Sequence, residues 1–209
     1  MSTAKTPPRT DQEGVRAATH SKLLKAALTL AGGGRIPSIA ELAGVAGVSR
    51  ATAYRYFNSR SDLVKAIMTE SLGPMRSFEP TATDGDTRIR ELFARTFPRF
   101  KEFEPQMRAA LQLSMEHAAL ARAGALTEPP YRRGFRREIL SRAAAPLESK
   151  LNPSAYRRLL LALSVIYGIE AYVVLKDIWE VDDATVESTA SWMVDALLKA
   201  ASLPDPEKG

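Results

Sequence analysis

One short stretch holds most of the side chains in this chain that could recognise another molecule. Residues 45–63, VAGVSRATAYRYFNSRSDL, combine a Gly-Val turn with three aromatic rings and three arginines. Arginine can donate two hydrogen bonds to guanine or bind a phosphate, and tyrosine and threonine can contact bases or backbone. The competing interpretation is an ordinary aromatic helix corner with solvated charges.

The charge distribution favours recognition of a polyanion. Residues 1–65 hold 10 Lys or Arg and 4 Asp or Glu, a net charge of +6, whereas residues 66–209 hold 19 and 20, a net charge of −1. A basic segment on a near-neutral body is typical of a nucleic-acid-binding module. Cysteine is absent, which excludes disulfides and thiolate metal sites. We predict no metal, no cofactor and no catalytic residue.

The elements that must position this stretch are two short helices. Ser38 and Glu41 form a capping box that opens the first of them, because each side chain can bond the other residue's backbone N–H. Gly47 supplies a turn, and Ser49 can cap the next helix, which runs to about Phe57. Two short helices joined by a glycine turn predict a helix-turn-helix.

The remaining pattern is helical, without strand alternation. Residues 1–15 hold almost no large apolar side chains and predict a disordered basic tail, in which Lys5 and Arg9 are either a minor-groove arm or solvated charges. A first helix ends at the glycines 32–34, and a fourth opens at Ser59 and ends at Gly73. Five more are expected at about 87–102, 105–124, 130–151, 153–179 and 182–202. The prediction is an all-α chain of about nine helices, with a three-helix head at 16–65 and a body at 66–209.

The longest apolar run, residues 159–175, is slightly short for a membrane span and contains Glu170. It predicts a buried core or interface helix. The first residues, MSTAKTPPRTDQEG, lack the apolar stretch of a secretory signal. We therefore expect a cytoplasmic protein without membrane association.

The stretch 39–64 closely resembles the DNA-binding core of the TetR (tetracycline repressor) family. The matching positions are Ala46, Gly47, Val48, Ser49, Thr52, Tyr54, Tyr56, Phe57, Ser59, Arg60 and Leu63. The resemblance covers about residues 20–65 and implies a DNA-binding head on a helical body. The chain departs from the family at LTLAGGGRIP, where an aromatic and an acidic-Gly-aromatic turn are usual, and at Ala53, where leucine is common.

Roles on the third helix follow from which way each side chain faces. Ala53 and Phe57 should face the core, which leaves Arg50, Ala51 and Thr52 towards base edges. The resemblance aligns Tyr54 and Arg60 with backbone-contacting positions and Tyr56 with a base- or backbone-contacting one. Arg55 is either a phosphate ligand or a solvated charge. The predicted DNA-contacting set is Ser38, Ser49, Arg50, Ala51, Thr52, Tyr54, Arg55, Tyr56 and Arg60.

The resemblance also implies a homodimer through the last two helices and a small-molecule pocket in the middle helices. Apolar stripes on these two helices are compatible with a dimer interface, although part of each stripe could be ordinary core of a single chain. The stripes contain Leu160, Leu163, Tyr167, Val174, Ile178, Trp192, Met193, Ala196, Leu197 and Ala200. Apolar walls for an effector could come from Phe93, Phe97, Phe100, Met107, Leu111, Met115, Tyr131, Phe135, Tyr167 and Tyr172.

Several polar residues of the body have two interpretations each. Glu170 lies in an apolar stretch, so it either pairs with an arginine or contacts a cationic or polar effector. Arg132, Arg133, Arg136 and Arg137 form either a solvated face or a site for an anionic effector. His117 and Glu116 are surface or core residues, or an acid and a base.

These features predict a transcriptional regulator, a repressor that leaves a palindromic double-stranded DNA operator when it binds an unknown small-molecule effector. The main alternative is an effector-independent DNA-binding protein with an architectural or division-related role. An enzyme with a degenerate head is a third hypothesis, for which the sequence offers no nucleophile or metal motif.

Overall fold

The computed structural model describes residues 9–131 and 133–203, and these contain ten α-helices and no strand. The helices are α1 Arg9–Ala31, α2 Ile39–Ala46, α3 Arg50–Tyr56, α4 Arg60–Leu72, α5 Gly85–Glu102, α6 Glu104–Arg122, α7 Phe135–Ala144, α8 Pro153–Ile166, α9 Ile169–Trp179 and α10 Asp183–Ala201. Two 3-10 turns occupy Gly73–Ser77 and Ala145–Leu147. The predicted all-α fold is confirmed, with ten helices in the described part where about nine were expected.

The additional helix arises because one expected helix, residues 153–179, is broken at Gly168. Helices α8 and α9 meet there at an angle of 52°. Gly168 is buried and has a φ of 157°, and a Cβ atom on it would overlap the Arg136 guanidinium. The bend therefore depends on a glycine whose missing side chain leaves room for an ion pair from α7.

Within the described residues, no single helix is long and apolar enough to cross a bilayer, and α8 with α9 meets that criterion only as a bent pair.

The N-terminal tail was predicted too long. Residues 9–15 belong to α1, whereas residues 1–8, including Lys5, lie outside the described residues. The first turns of α1 are exposed from Glu13 to Ala18, so no apolar periodicity revealed them. Extending a helix costs little free energy once its buried part has formed, because each further residue adds a backbone hydrogen bond without a new nucleation step.

The seventh helix is shorter than the expected 130–151. It begins after Gly134, and the 3-10 turn that follows it contains Pro146. Proline removes a backbone donor and clashes with a continuing α-helix, so the turn tightens there. The segment 123–134 is consequently a loop between α6 and α7, in which Arg132 lies outside the described residues.

Two apolar clusters form the interior, and α4 connects them. The head cluster joins α1, α2, α3 and the first half of α4 to residues Ala109, Ala110 and Leu113 of α6. The body cluster is built from α5, α7, α8, α9 and α10, and Met68 and Leu72 of α4 pack against it. The expected boundary at residues 65/66 therefore falls inside α4 rather than in a linker.

Candidate nucleic-acid interface and body cavity

The turn between α2 and α3 has the geometry that the sequence predicted. The Ser38 hydroxyl accepts from the Glu41 N–H at 3.2 Å, and the Glu41 carboxylate accepts from the Ser38 N–H at 2.8 Å. Gly47 adopts φ 60°, ψ 41°, a left-handed conformation that glycine tolerates best. The Val48 N–H then donates to the Ala43 carbonyl at 3.0 Å. These contacts fix the angle at which α3 leaves the turn.

The start of α2 carries a compensated charge. The Arg35 guanidinium donates to the Glu41 carboxylate at 2.6 Å, and this bond, followed by the one from the Ser38 N–H, lowers the pKa of Glu41 to about 2. Glu41 therefore stays ionised across the physiological range. A phosphate approaching Ser38 would meet Arg35 as well as the helix N-terminus, which offsets the repulsion from Glu41.

Helix α3 presents one face to solvent. Ala53 is buried completely and Phe57 almost completely, as expected for the core side. Arg50, Ala51, Tyr54 and Arg55 are exposed, and Thr52 is half-buried. The Ser49 hydroxyl accepts from the Thr52 N–H at 3.0 Å and lies 2.9 Å from the Thr52 hydroxyl.

The arginines on the exposed face of α3 are not neutralised by carboxylates of the described residues. No salt bridge involving Arg50 or Arg55 occurs among the described residues, whereas Arg35 and Arg60 are both paired. An unpaired guanidinium keeps all its donors available for a base or a phosphate. The side chains Arg50 and Arg55 are therefore the best placed of the predicted set to bind DNA.

Tyr56 is held by α1. Its hydroxyl donates to the Arg16 carbonyl at 3.2 Å, and its ring lies 6.0 Å from that of His20. The side chain is half-buried. In this arrangement Tyr56 supports α3 on α1, and its predicted contact with DNA would have to use the hydroxyl's acceptor lone pairs or replace the bond to Arg16.

Arg60 joins the head to the body. Its guanidinium donates to Glu116 of α6 at 2.7 Å and to Glu128 of the 123–134 loop at 2.9 Å, and its backbone N–H donates to Glu128 at 2.9 Å. Burial raises the pKa of Glu128, but the hydrogen bonds from Arg60 outweigh it and leave the pKa below its usual value. Two carboxylates thus neutralise Arg60, so the predicted phosphate contact of Arg60 is not favoured by its surroundings.

The same loop connects α4 to a buried histidine. The Ser61 hydroxyl donates to the Pro129 carbonyl, and His117 accepts from the Tyr131 N–H through Nδ1 at 3.1 Å. With Nδ1 accepting, a neutral His117 carries its proton on Nε2, which faces Glu128 at 3.2 Å. Both ring nitrogens are engaged inside the protein, so His117 is a core residue and is not placed to act as a catalytic base with Glu116.

A cavity of about 410 Å³ lies between α4, the 123–134 loop and the bend between α8 and α9. Five predicted effector residues line it: Phe100, Met107, Tyr131, Phe135 and Tyr167. Phe93, Phe97 and Tyr172 are packed into the body cluster instead. Leu111 and Met115 lie at a separate shallow groove between α6 and α9.

Several lining residues were missed by the sequence. Lys65, Met68, Thr69 and Leu72 project from α4, and Arg76 comes from the 3-10 turn that follows. The sequence assigned α4 to the boundary of the head, and its second apolar face gave no separate signal. A further residue that the sequence did not single out lies away from the cavity, at the helix-turn-helix. The ammonium of Lys22, from α1, is next to the turn, where a Cβ on Gly47 would lie 3.6 Å from it.

Glu170 borders the cavity through ion pairs. Its carboxylate accepts from Arg133 and from Arg136, and Arg136 also donates to the Ser164 carbonyl at 2.9 Å. Burial raises the pKa of Glu170, but the arginines more than offset this and lower it below its usual value. The structure therefore bears out the ion-pair interpretation. Of the other two arginines in the predicted cluster, Arg137 is exposed and Arg132 lies outside the described residues.

The apolar stripes predicted for the dimer are divided by the fold. Leu163 and Tyr167 are buried within the chain and belong to its core, and Leu160, Met193 and Leu197 are half-buried. Exposed members are Val174, Ile178, Trp192, Ala196 and Ala200. Leu161 and Val165 of α8, which the sequence did not single out, are 61% and 70% exposed, close to the 70% of Trp192 on the neighbouring α10.

Comparison with known proteins supports this architecture. Residues 23–67 match the family model described as bacterial regulatory proteins, tetR family. A TetR transcriptional regulator from Rhodococcus sp. RHA1 is 25% identical, with a TM-score of 0.55 over 87% of this chain and 96% of its own. A tetR-family transcriptional regulator from Streptomyces coelicolor shares the fold at 21% identity, with a TM-score of 0.60 over 90% of this chain and 86% of its own. No curated protein sequence matches the chain significantly.

Proposed function

By its N-terminal segment and its overall fold, the chain belongs to the TetR family of bacterial regulatory proteins, and we propose that it is a repressor released from its operator by a small molecule. The observation that carries the proposal is the exposed face of α3, on which Arg50 and Arg55 lack ionic partners among the described residues. Such a regulator acts on chromosomal DNA, which places it in the cytoplasm.

Base readout is assigned to the start of α3. Arg50 can donate two hydrogen bonds to O6 and N7 of a guanine, a contact worth about 1 to 3 kcal/mol of discrimination. The methyl groups of Ala51 and Thr52 suit a thymine methyl. Tyr54 and Arg55, further along the exposed face, are assigned to phosphates, together with Ser38 and the N–H groups that open α2.

A dimer is required because one head makes few contacts. Affinity for DNA depends strongly on the number of phosphates neutralised, so a single short recognition helix binds weakly and is sensitive to salt. Two-fold symmetry would place two α3 helices on successive turns of the duplex and demand a palindromic operator. Leu161, Val165 and Trp192 are apolar and exposed on α8 and α10, and in this proposal they pack against the same residues of a second copy.

Release is assigned to α4, because this helix packs in the head cluster and also lines the cavity. Its residues Lys65, Met68 and Leu72 line the cavity, and its first turn is held by Glu128 and Pro129. The loop that carries Glu128 also carries Tyr131, which lines the same cavity. A ligand that fits only one position of α4 would shift the heads, and its effect is limited to its difference in affinity between the two states.

The direct test selects binding sites for the full chain from random duplexes and then repeats binding with a panel of metabolites. We expect a palindromic consensus and at least one compound that weakens binding to it. Binding without sequence preference would contradict the regulator. A consensus whose affinity no compound changes would favour the effector-independent alternative.

A further inference from the structure

The walls of the cavity are strongly cationic above an apolar floor. The cations are Lys65, Arg76, Arg133 and Arg136, and the floor is formed by side chains such as Phe100, Met107 and Ile169. In the part of the chain that the structure describes, two carboxylates pair with these cations: Asp62 lies 3.3 Å from Lys65, and Glu170 bridges Arg133 and Arg136. These six described residues carry four positive and two negative charges, an excess of two positive charges.

Arg76 is the cation that no carboxylate compensates in the described part of the chain. Its guanidinium donates to the Thr69 hydroxyl and lies 5.3 Å from the centre of the Phe135 ring. Both neighbours are uncharged, and both line the cavity. A guanidinium that lies against an aromatic ring at the open side of a cavity is a suitable partner for an anion.

Tyr131 lines the cavity together with the arginines. Burial raises the pKa of this phenol, and Arg133, Arg76 and Arg136 each act in the opposite direction through their charge. All three guanidiniums are therefore within electrostatic range of one uncharged hydroxyl. No hydrogen bond from this hydroxyl occurs among the described residues, so it remains available as a donor to a ligand.

Two helices also begin at the cavity. Gly134 precedes α7 and Gly168 precedes α9, both glycines line the cavity, and neither helix start receives a side-chain cap. The positive ends of the two helix dipoles add to the attraction for an anion. The chain itself shows which anion suits the arginines, because they already hold the carboxylate of Glu170.

We propose that the cavity binds a small organic carboxylate with an apolar body. Its carboxylate lies between Arg76 and the Arg133–Arg136 pair, in competition with Glu170, and its apolar part packs on Phe100, Met107 and Tyr167. The volume of about 410 Å³ is at the lower end of ligand pockets, which limits the ligand to a small molecule. This inference names the ligand class for the effector cavity and therefore rests on that part of the proposed function.

The test measures binding of decanoate, decanol and decylamine to the full chain by calorimetry, without DNA. These probes share one chain length and differ in charge. We expect decanoate to bind at least tenfold more tightly than decanol, and decylamine more weakly than either. Equal binding of decanoate and decanol, or tighter binding of decylamine, would overturn the proposal.

Three variants locate the carboxylate. Arg76→Gln should weaken decanoate about tenfold, and Glu170→Gln should strengthen it about tenfold because it frees Arg133 and Arg136. Neither should change the affinity for decanol, and Arg137→Gln, an exposed arginine on the same helix as Arg136, should change nothing. Parallel changes for decanoate and decanol would show that these residues only maintain the fold.

The carboxylate-binding test and the operator-selection test can fail independently. A chain that selects an operator but does not prefer decanoate would refute the carboxylate site alone. A chain that prefers decanoate with the expected variant effects but selects no operator would refute the regulator alone.

Discussion

At the scale of single residues, the arginines of the head differ by what already surrounds them. Arg35 and Arg60 are neutralised by carboxylates, whereas Arg50 and Arg55 extend from α3 without an ionic partner among the described residues. Arg50 opens the helix, where base edges are reached, and Arg55 lies in its last turn. The four arginines carry the same charge, but the carboxylates beside Arg35 and Arg60 distinguish them from Arg50 and Arg55.

Arg50→Ala should relax selectivity at one base-pair position of the operator half-site. The expected loss is about 1 to 3 kcal/mol at that position, because a bidentate contact to guanine disappears. Competition binding with duplexes mutated at each position measures it.

Arg55→Ala is the matched comparison for Arg50→Ala. It should weaken all duplexes alike and reduce the slope of log affinity against log salt by about one counterion per head, as the loss of one phosphate contact requires. Equal effects of the two changes on base preference would contradict the division of roles.

At the scale of elements, the break between α8 and α9 shapes the cavity. Gly168 lines the cavity, and its missing side chain gives room to the Arg136–Glu170 pair. A continuous helix through residues 153–179 would fill this corner and remove the start of α9 from it. The bend is therefore part of the candidate site as well as of the core.

Gly168→Ala should destabilise the protein by about 1 to 3 kcal/mol, because the new methyl group meets Arg136 and Glu170 at a backbone conformation that alanine rarely adopts. Urea unfolding measures this loss. The control Gly44→Ala in α2 has open space around it and should be neutral or slightly stabilising, since alanine favours helix. Equal stabilities of the two variants would contradict the tight fit at Gly168.

At the scale of the whole molecule, α4 and α6 connect the head to the body. Residues of α6 belong to the same apolar cluster as the helix-turn-helix, and α4 packs on both clusters. Both helices therefore contribute to the packing of the head and of the body. In the proposed mechanism, this shared packing would transmit a change at the cavity to the head.

Leu161→Glu or Trp192→Glu should convert a dimer into monomers and reduce operator affinity at least tenfold, because a charge would be buried at the apolar interface. Light scattering and operator binding measure the two effects. Met115→Glu is the matched control, since Met115 is 65% exposed but lies on α6. If all three variants stay dimeric, the interface lies elsewhere.

The sequence by itself determined the local architecture. Caps at Ser38, Ser49 and Ser59, the left-handed glycine at Gly47 and the buried Ala53 were all predictable, because capping, turn geometry and helical periodicity involve residues only a few positions apart. The same local pattern identified the family resemblance, and helical periodicity predicted the all-α fold.

Only the tertiary structure decided which charges are free and where the cavity lies. Arg60 meets Glu116 and Glu128 across 56 and 68 residues of sequence, and Arg136 meets Glu170 across 34. Ion pairs and cavities of this kind depend on distances between helices, which composition and spacing do not encode. The apolar residues of α8 and α9 were recognised in advance, but whether each would face the core, the cavity or solvent depended on the bend at Gly168 and on the helices packed around it.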